Sequence, residues 1–289
     1  MRPGRLPAAV RRWLVRTAVA PVEARFARRV EAAVRAEADQ VEAVVRAEAD
    51  RVIRAVHEVE FRERRDLLAA GERDAAVASA RFAAREMSTA LAFHDPVSTL
   101  RYAVEIAPTG GLALEFGVFR GSSLEVIAEG RGRRDVYGFD SFQGLPADYR
   151  PHVRAGAFAT DGLPEVAGAE LVVGWFQDTL PGFLAAHPGP VHLLHVDGDL
   201  YSSAVTVLEH VGHRLVPGSV VVFDEFFNFP GWEQHEYRAW QEHLARTGTR
   251  AAYAAYTSNN EQVVVRVLDP GTPPGTDRAW RPGGARSAP

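Results

Sequence analysis

Acids that close short apolar runs are the residues of this chain best placed to do chemistry. Glu115 lies just before Gly117 in LALEFGVFRGSS (residues 112–123), Asp140 ends DVYGFD, Asp197 ends VHLLHVD, and Asp224-Glu225 ends SVVVFDE. An apolar run ending in a polar group is how a strand delivers a side chain to the carboxyl edge of an α/β sheet, where such sheets bind ligands. Gly117 and Gly121 let the chain turn sharply and a ligand approach the backbone, while Ser122 and Ser123 are expected to cap the next helix, whose free N–H groups face the same crevice. Glu115 can hold a cationic amino group or the turn backbone, and Asp140 stands where an acid takes ribose hydroxyls. The turn is spaced G-x-x-x-G and not G-x-G-x-x-G, so adenosine with a charged amino-acid tail fits better than a nicotinamide dinucleotide.

Those acids share an edge only if strands and helices alternate. The spacing predicts strands at 112–118, 135–142, 171–175, 191–196 and 219–223, with helices resuming at Leu124 and spanning 176–186 (capped near Asp178) and 201–215. A helical region at 232–247 and two closing strands, 251–256 and 262–268, complete a mainly parallel, Rossmann-like α/β sheet. Asp199 reads as the cap of the helix beginning at Tyr201. The irregular stretch 143–164 is too long for a plain connector and reads as a lid or substrate wall. Upstream, the helix is expected to continue through Phe61 to Gly71, with further helices at 75–92 and, after Pro96, at 97–107.

The 289 residues contain no cysteine, which excludes disulfides, thiolate nucleophiles and Cys-ligated zinc. Net charge is −4, so a nucleic-acid surface is not expected. No apolar run is long enough to span a bilayer, the N-terminus lacks a secretory signal, and a cytoplasmic location is expected. Residues 1–29 hold eight Arg against Glu23 alone, with Trp13 among them, a combination suited to an anionic surface; peripheral membrane contact is weighed but not favoured. From Val30 an eleven-residue repeat (VEAAVRAEADQ, VEAVVRAEADR, VIRAVHEVEFR) sets Val30, Val34, Val41, Val45, Val52 and Val56 on one slowly drifting stripe. That predicts a long helical extension, a stalk over 30–90 that pairs with a copy of itself, with a surface-lying helix or one folded back on its own domain as the alternatives. The ligand-binding domain is expected over 91–268, followed by a disordered Pro/Gly/Arg tail, 269–289.

Taken together, EFGVFRGSS, GFDSFQGLP, GWFQDTLP, HVDGDLYSS and VPGSVVVFDEF occur in an order that resembles the macrocin O-methyltransferase (TylF-type) family of class I S-adenosylmethionine-dependent methyltransferases. The resemblance covers residues 95–268. It implies cofactor contacts at Glu115, Gly117, Phe119, Gly121 and Ser122, ribose contacts at Asp140, Ser141 and Phe142, and adenine beside Trp175 and Phe176. It also implies a divalent ion, usually magnesium, on Asp197, Asp224 and Glu225. Glu225 departs from the family's second Asp and reaches one methylene further, so a metal-free site in which Asp197 and Asp224 orient the substrate is the rival.

Deprotonating a hydroxyl calls for a base, and His94, His152 and His235 are the candidates, with His152 in the lid-like loop where relatives keep one. His192 and His195 read as packing residues on a strand, His210 and His213 as helix-surface ones. The expected activity is methylation of a hydroxyl on a small polar acceptor, such as a sugar or glycosylated metabolite. The alternatives are another reaction on the same fold, hydroxylation for example, and an interaction protein with a relic pocket.

Overall fold

The computed structural model describes residues 7–271. Met1–Leu6 of the basic segment, and the expected tail from residue 272 on, lie outside the described residues. The chain divides between Ala70 and Gly71 into two compact units.

The first unit is helical. A short helix α1 (Ala8–Leu14) passes through a π-turn (Val15–Val19) into α2 (Ala20–Arg65), and no residue of the three is buried. At 46 residues α2 extends for about 69 Å. Ala, Arg and Glu favour the helix on propensity, and Glu42–Arg46 and Glu60–Arg64 pair one turn apart. The valines of the repeat are all exposed. The helix does not run on to Gly71 as the periodicity suggested. Asp66 turns extended, and its carboxylate accepts the N–H groups of Leu68 and Ala69, capping a new helix α3 (Leu67–Glu86).

The second unit contains an eight-stranded sheet. Its strands are β1 (Leu91–Phe93), β2 (Leu112–Phe116), β3 (Val136–Asp140), β4 (Glu170–Val173), β5 (Val191–Val196), β6 (Leu215–Phe223), β7 (Arg250–Thr257) and β8 (Val263–Asp269). They lie in the order β1-β7-β8-β6-β5-β2-β3-β4, all pairings parallel except those of β8 with β6 and β7. Such a sheet, with one reversed strand inserted, is the Rossmann-like fold of class I methyltransferases. From β2 the chain winds one way through β3 and β4, then returns to start β5 on β2's other side, so the order reverses between β2 and β5. Open α/β sheets bind ligands at such a point.

Every residue of β2 is buried, as a strand covered on both faces requires. One face packs Phe82 of α3 with Leu180 and Phe183 of α6 (Phe176–Ala186), Val207 of α7 (Tyr201–Val211) and Trp240 of α8 (Glu236–Thr247). The other packs Leu100 and Ala103 of α4 (Pro96–Ile106) with Leu124 and Ile127 of α5 (Ser122–Gly130).

Several boundaries differ from expectation. The helix read at 75–92 ends at Glu86, and Leu91–Phe93 is an edge strand. Residues 71–90, read with the stalk, fall in the sheet unit, where Phe82 meets the rings of Trp232, Tyr237 and Tyr253. Trp175 is not in a strand but is the N-cap of α6, and Asp178 makes no cap. The helix from Tyr201 stops at Val211, and β6 starts at Leu215, absorbing Pro217 and Gly218 where its register with β5 shifts.

Candidate active site

Three strand ends meet at the point where the sheet order reverses. Gly117 N–H donates to Phe139 O, Asp197 N–H to Phe116 O, and Asp224 N–H to Val196 O, at 2.9, 2.8 and 2.9 Å. Each ladder therefore runs one residue past its strand and stops on the same edge. Gly117 has φ +102°, and a Cβ there would lie 1.7 Å from the carbonyl oxygen of Asp197. Only glycine lets β2 turn away this close to β5. The glycine expected to make room for a ligand thus first makes room for the neighbouring strand.

A cavity of about 400 Å³ opens at this edge, a size suited to a small-molecule site. Gly117, Phe119, Asp140, Ser141, Trp175 and Phe176 line one part; Asp197, Asp199, Ser202, Ser203, Thr206 and Glu225 line another. Leu145, Pro146 and Phe158 add a wall from the loop after β3. That loop is folded on itself, with Leu145 N–H donating to Ala157 O and Gly156 N–H to Leu145 O, and Phe158 meets Phe119 edge to face. Phe119, Phe158 and Asp199 all have positive φ, an uncommon conformation for such residues, and all three line the cavity.

Asp140 is already at work on the glycine turn. Its Oδ2 accepts the N–H groups of Val118 and Phe119 at 2.9 and 2.8 Å, and its Oδ1 that of Phe142 at 2.7 Å. Four expected cofactor contacts are not on the cavity wall. Gly121 is the left-handed N-cap of α5, pressed by Val166 and Pro164, so no serine hydroxyl caps this helix. Ser122 is the exposed first residue of α5, and Phe142 is buried in the core. Glu115 is fully buried, and its Oε1 lies 2.9 Å from His195 Nδ1. Glu115 and His195 face each other across the β2–β5 ladder.

His195 is therefore no packing residue. Its Nε2 lies 3.3 Å from Asp224 Oδ1, which places the imidazole between two carboxylates. Burial works against its charge, but the bonds to Asp224 and Glu115 outweigh it and raise its pKa well above the ordinary value. His195, Asp197 and Asp224 each offer a ligand atom within 4.8 Å of the others. Both ring nitrogens of His195 already face carboxylate oxygens, of Glu115 and of Asp224, and the other two members of the group are carboxylates.

The surrounding acids are crowded. Burial, then the charge of Asp224, pushes the Asp197 carboxyl well up; burial and the charge of Asp197 do the same to Glu225. Glu236, fully buried at the start of α8, is pushed up by burial and Asp224, with one oxygen held by Glu225 N–H. Glu225 Oε2 and Glu236 Oε1 have no partner among the described residues. Asp199 is pushed up to about 6, mainly by burial. It caps nothing: Leu200 is the N-cap of α7, and Asp199, left-handed at φ +59°, is turned onto the cavity wall.

The histidines expected as bases stand elsewhere. His152 is exposed and off the cavity wall, His94 Nδ1 lies 2.9 Å from Ser258 Oγ, and His235 packs against Tyr149 and Phe229 with its pKa lowered by burial and Arg150. Sequence reasoning gave Asp199 and His195 structural roles, as a helix cap and a packing residue, and did not single out Glu236.

Residues 114–226 match the family model described as a methyltransferase domain. The likeness is to a methyltransferase. Among curated relatives, the chain is 31% identical over 159 residues to 8-demethyl-8-(2,3-dimethoxy-alpha-L-rhamnosyl)-tetracenomycin-C 4'-O-methyltransferase of Streptomyces olivaceus, an alignment covering 45% of this chain and 59% of that methyltransferase. With mycinamicin III 3''-O-methyltransferase of Micromonospora griseorubida it shares 29% identity over 175 residues, 49% of this chain and 67% of the relative. The chain thus spans less than two thirds of the first relative's length. Among solved structures, a calicheamicin methyltransferase shares 28% identity, covering 59% of this chain and 76% of its own, with a TM-score of 0.47.

Proposed function

We propose that the sheet unit binds S-adenosylmethionine and transfers its methyl group to a hydroxyl of a small polar acceptor, such as a sugar on a glycosylated metabolite. The observation that carries this reading is one cavity, at the point of reversed strand order, walled by a glycine turn with Asp140 and Trp175 and also by Asp197, Asp199 and Glu225. The two curated relatives, named as O-methyltransferases of a rhamnosyl-tetracenomycin and of mycinamicin III, support the acceptor class.

The residues fit both groups. Gly117 offers a side free of Cβ, Asp140 an acceptor for ribose hydroxyls, and Trp175 and Phe176 flat apolar faces for adenine, with Phe119 and Ser141 beside them. Crowded carboxylates with an orphaned oxygen on Glu225 fit a hard divalent cation such as magnesium, which Asp197, Asp224 and Glu225 would hold. When bound, the cofactor supplies an electrophilic methyl on a sulfonium, and the cation a positive charge against the acceptor oxygen. Asp199 would take the proton that the acceptor hydroxyl gives up on methylation. A carboxylate with a pKa of about 6 is ionised at neutral pH yet more basic than an ordinary one. The Phe119–Phe158 pair adds an apolar wall to the cavity.

Calorimetry tests the binding half. Asp140→Ala should weaken S-adenosylmethionine by about 1–3 kcal/mol, the cost of stripping partners from buried groups; an unchanged dissociation constant overturns the assignment. Asp199→Asn should keep cofactor affinity and lose turnover of a glycoside acceptor, and a fully active variant removes Asp199 as the base.

The helical unit has a separate role in this reading. Val30, Val34, Val41, Val45, Val52 and Val56 are all exposed along one stripe, and burying each against a second copy of the helix contributes about 1–2 kcal/mol. A homo-oligomer joined through α2 follows.

A further inference from the structure

Asp224 is held from behind by a chain of buried polar side chains that reaches across the sheet unit, and that chain ends at a residue outside every motif discussed so far. Gln262, just before β8, donates from Nε2 to Asp224 Oδ1 at 2.8 Å. The orientation of its amide is fixed from the other side, because Thr257 Oγ1 donates to Gln262 Oε1 at 2.9 Å. Thr257, the last residue of β7, in turn lies 2.6 Å from the hydroxyl of Thr99 on α4. His195 Nε2 reaches the same Oδ1, anchored behind by Glu115.

Thr99 and Thr257 are fully buried, and Gln262 is 7% exposed. Polar groups buried this deeply lower stability unless every member is bonded, so an apolar trio would have served the core alone as well. What the trio adds is a direction. Both donors converge on Oδ1, which fixes the rotation of the carboxylate and leaves Oδ2 outside this set of bonds. We infer that Gln262, oriented by Thr257, is a positioning residue that presents Asp224 Oδ2 to a divalent cation. This rests on the reading of Asp224 as a cation ligand. Outer partners of metal-bound carboxylates commonly set affinity by 10–100-fold without touching the ion.

The test uses the full chain and Mn²⁺ as the probe, with affinity read by calorimetry and by the electron paramagnetic resonance of free Mn²⁺. Gln262→Leu, close in size but with neither donor nor acceptor, should weaken Mn²⁺ by about tenfold or more while S-adenosylmethionine affinity stays within about twofold. Thr257→Val removes only the hydroxyl that orients the amide and should shift Mn²⁺ affinity the same way by a smaller factor. It also carries the test if Gln262→Leu does not fold. A general loosening of the core would weaken cofactor and ion together, and that result overturns the positioning role. Wild-type Mn²⁺ affinity in both variants overturns it as well, while leaving Asp224 a ligand. A wild-type chain that takes up S-adenosylmethionine but no Mn²⁺ overturns the cation reading and this inference with it.

Discussion

The two units use the same kinds of side chain for opposite ends. On α2 the Glu42–Arg46 pair is 2.9 Å long with both side chains more than two-thirds exposed. In the sheet unit Arg150 takes both oxygens of Glu261, donates to Tyr149 and stacks 3.6 Å from the ring centre of Phe229, with about a quarter of its side chain exposed. Burial opposes its charge, and Glu261 with Tyr149 more than restores it. A pair's distance therefore says little about its worth. Solvent screens the first pair, whereas removing one partner of the second leaves a charge stranded.

The sharpest break of this contrast is in the helix itself. A helix with no buried residue is marginal in water, so Val41→Asp with Val45→Asp should abolish association and take most of the helicity of residues 7–70 with it. Light scattering and circular dichroism check this, and a full chain already monomeric at micromolar concentration removes the pairing. Next in size is His243, buried in α8 against Trp240 with neither ring nitrogen bonded among the described residues, its pKa lowered by burial and by Arg246 to about 4. The unfolded chain binds a proton there below its ordinary pKa and the folded chain resists, so stability falls as pH drops from about 6.5 to about 4, by roughly 3 kcal/mol in total. Urea unfolding of His243→Phe should show a flatter acid limb than wild type; parallel limbs would locate the acid sensitivity elsewhere. Arg150→Ala should cost about 2–3 kcal/mol, less than a fully buried pair because both side chains keep some solvent. Arg46→Ala, the same deletion on α2, should cost about 0.3–0.5 kcal/mol, and equal costs would erase the distinction.

How much of this could be read from the residues depends on whether the signal was local. Strand β5 and helix α6 lie where their apolar patterns put them, because each is a continuous run between turn residues. Strand β1 is three residues at the sheet's edge, too short for any period to register. The break at Asp66 did have a signal, an acid just before an apolar pair, but the repeat running up to it masked the cap. That Gly117, Asp140 and Asp197 would share one edge was legible since each stands at the end of a strand, and all three line the cavity. Asp199 was misplaced because an acid shortly before a helix usually caps it, and only the left-handed backbone shows otherwise. His195 was out of reach: its role comes from facing Glu115 across two strands far apart in the chain, a register that sequence does not contain.

The position of β8 has a consequence for how the protein is made. It is the last strand among the described residues, yet it sits inside the sheet between β6 and β7. While the ribosome is still adding residues beyond Phe223, the five strands from β4 to β6 can pair, but β6 presents an open edge that only β8 covers. Such an edge invites pairing with a neighbouring chain on the same message. Asp224 also waits for Gln262, so the acid cluster takes its final shape only after β7 has been made.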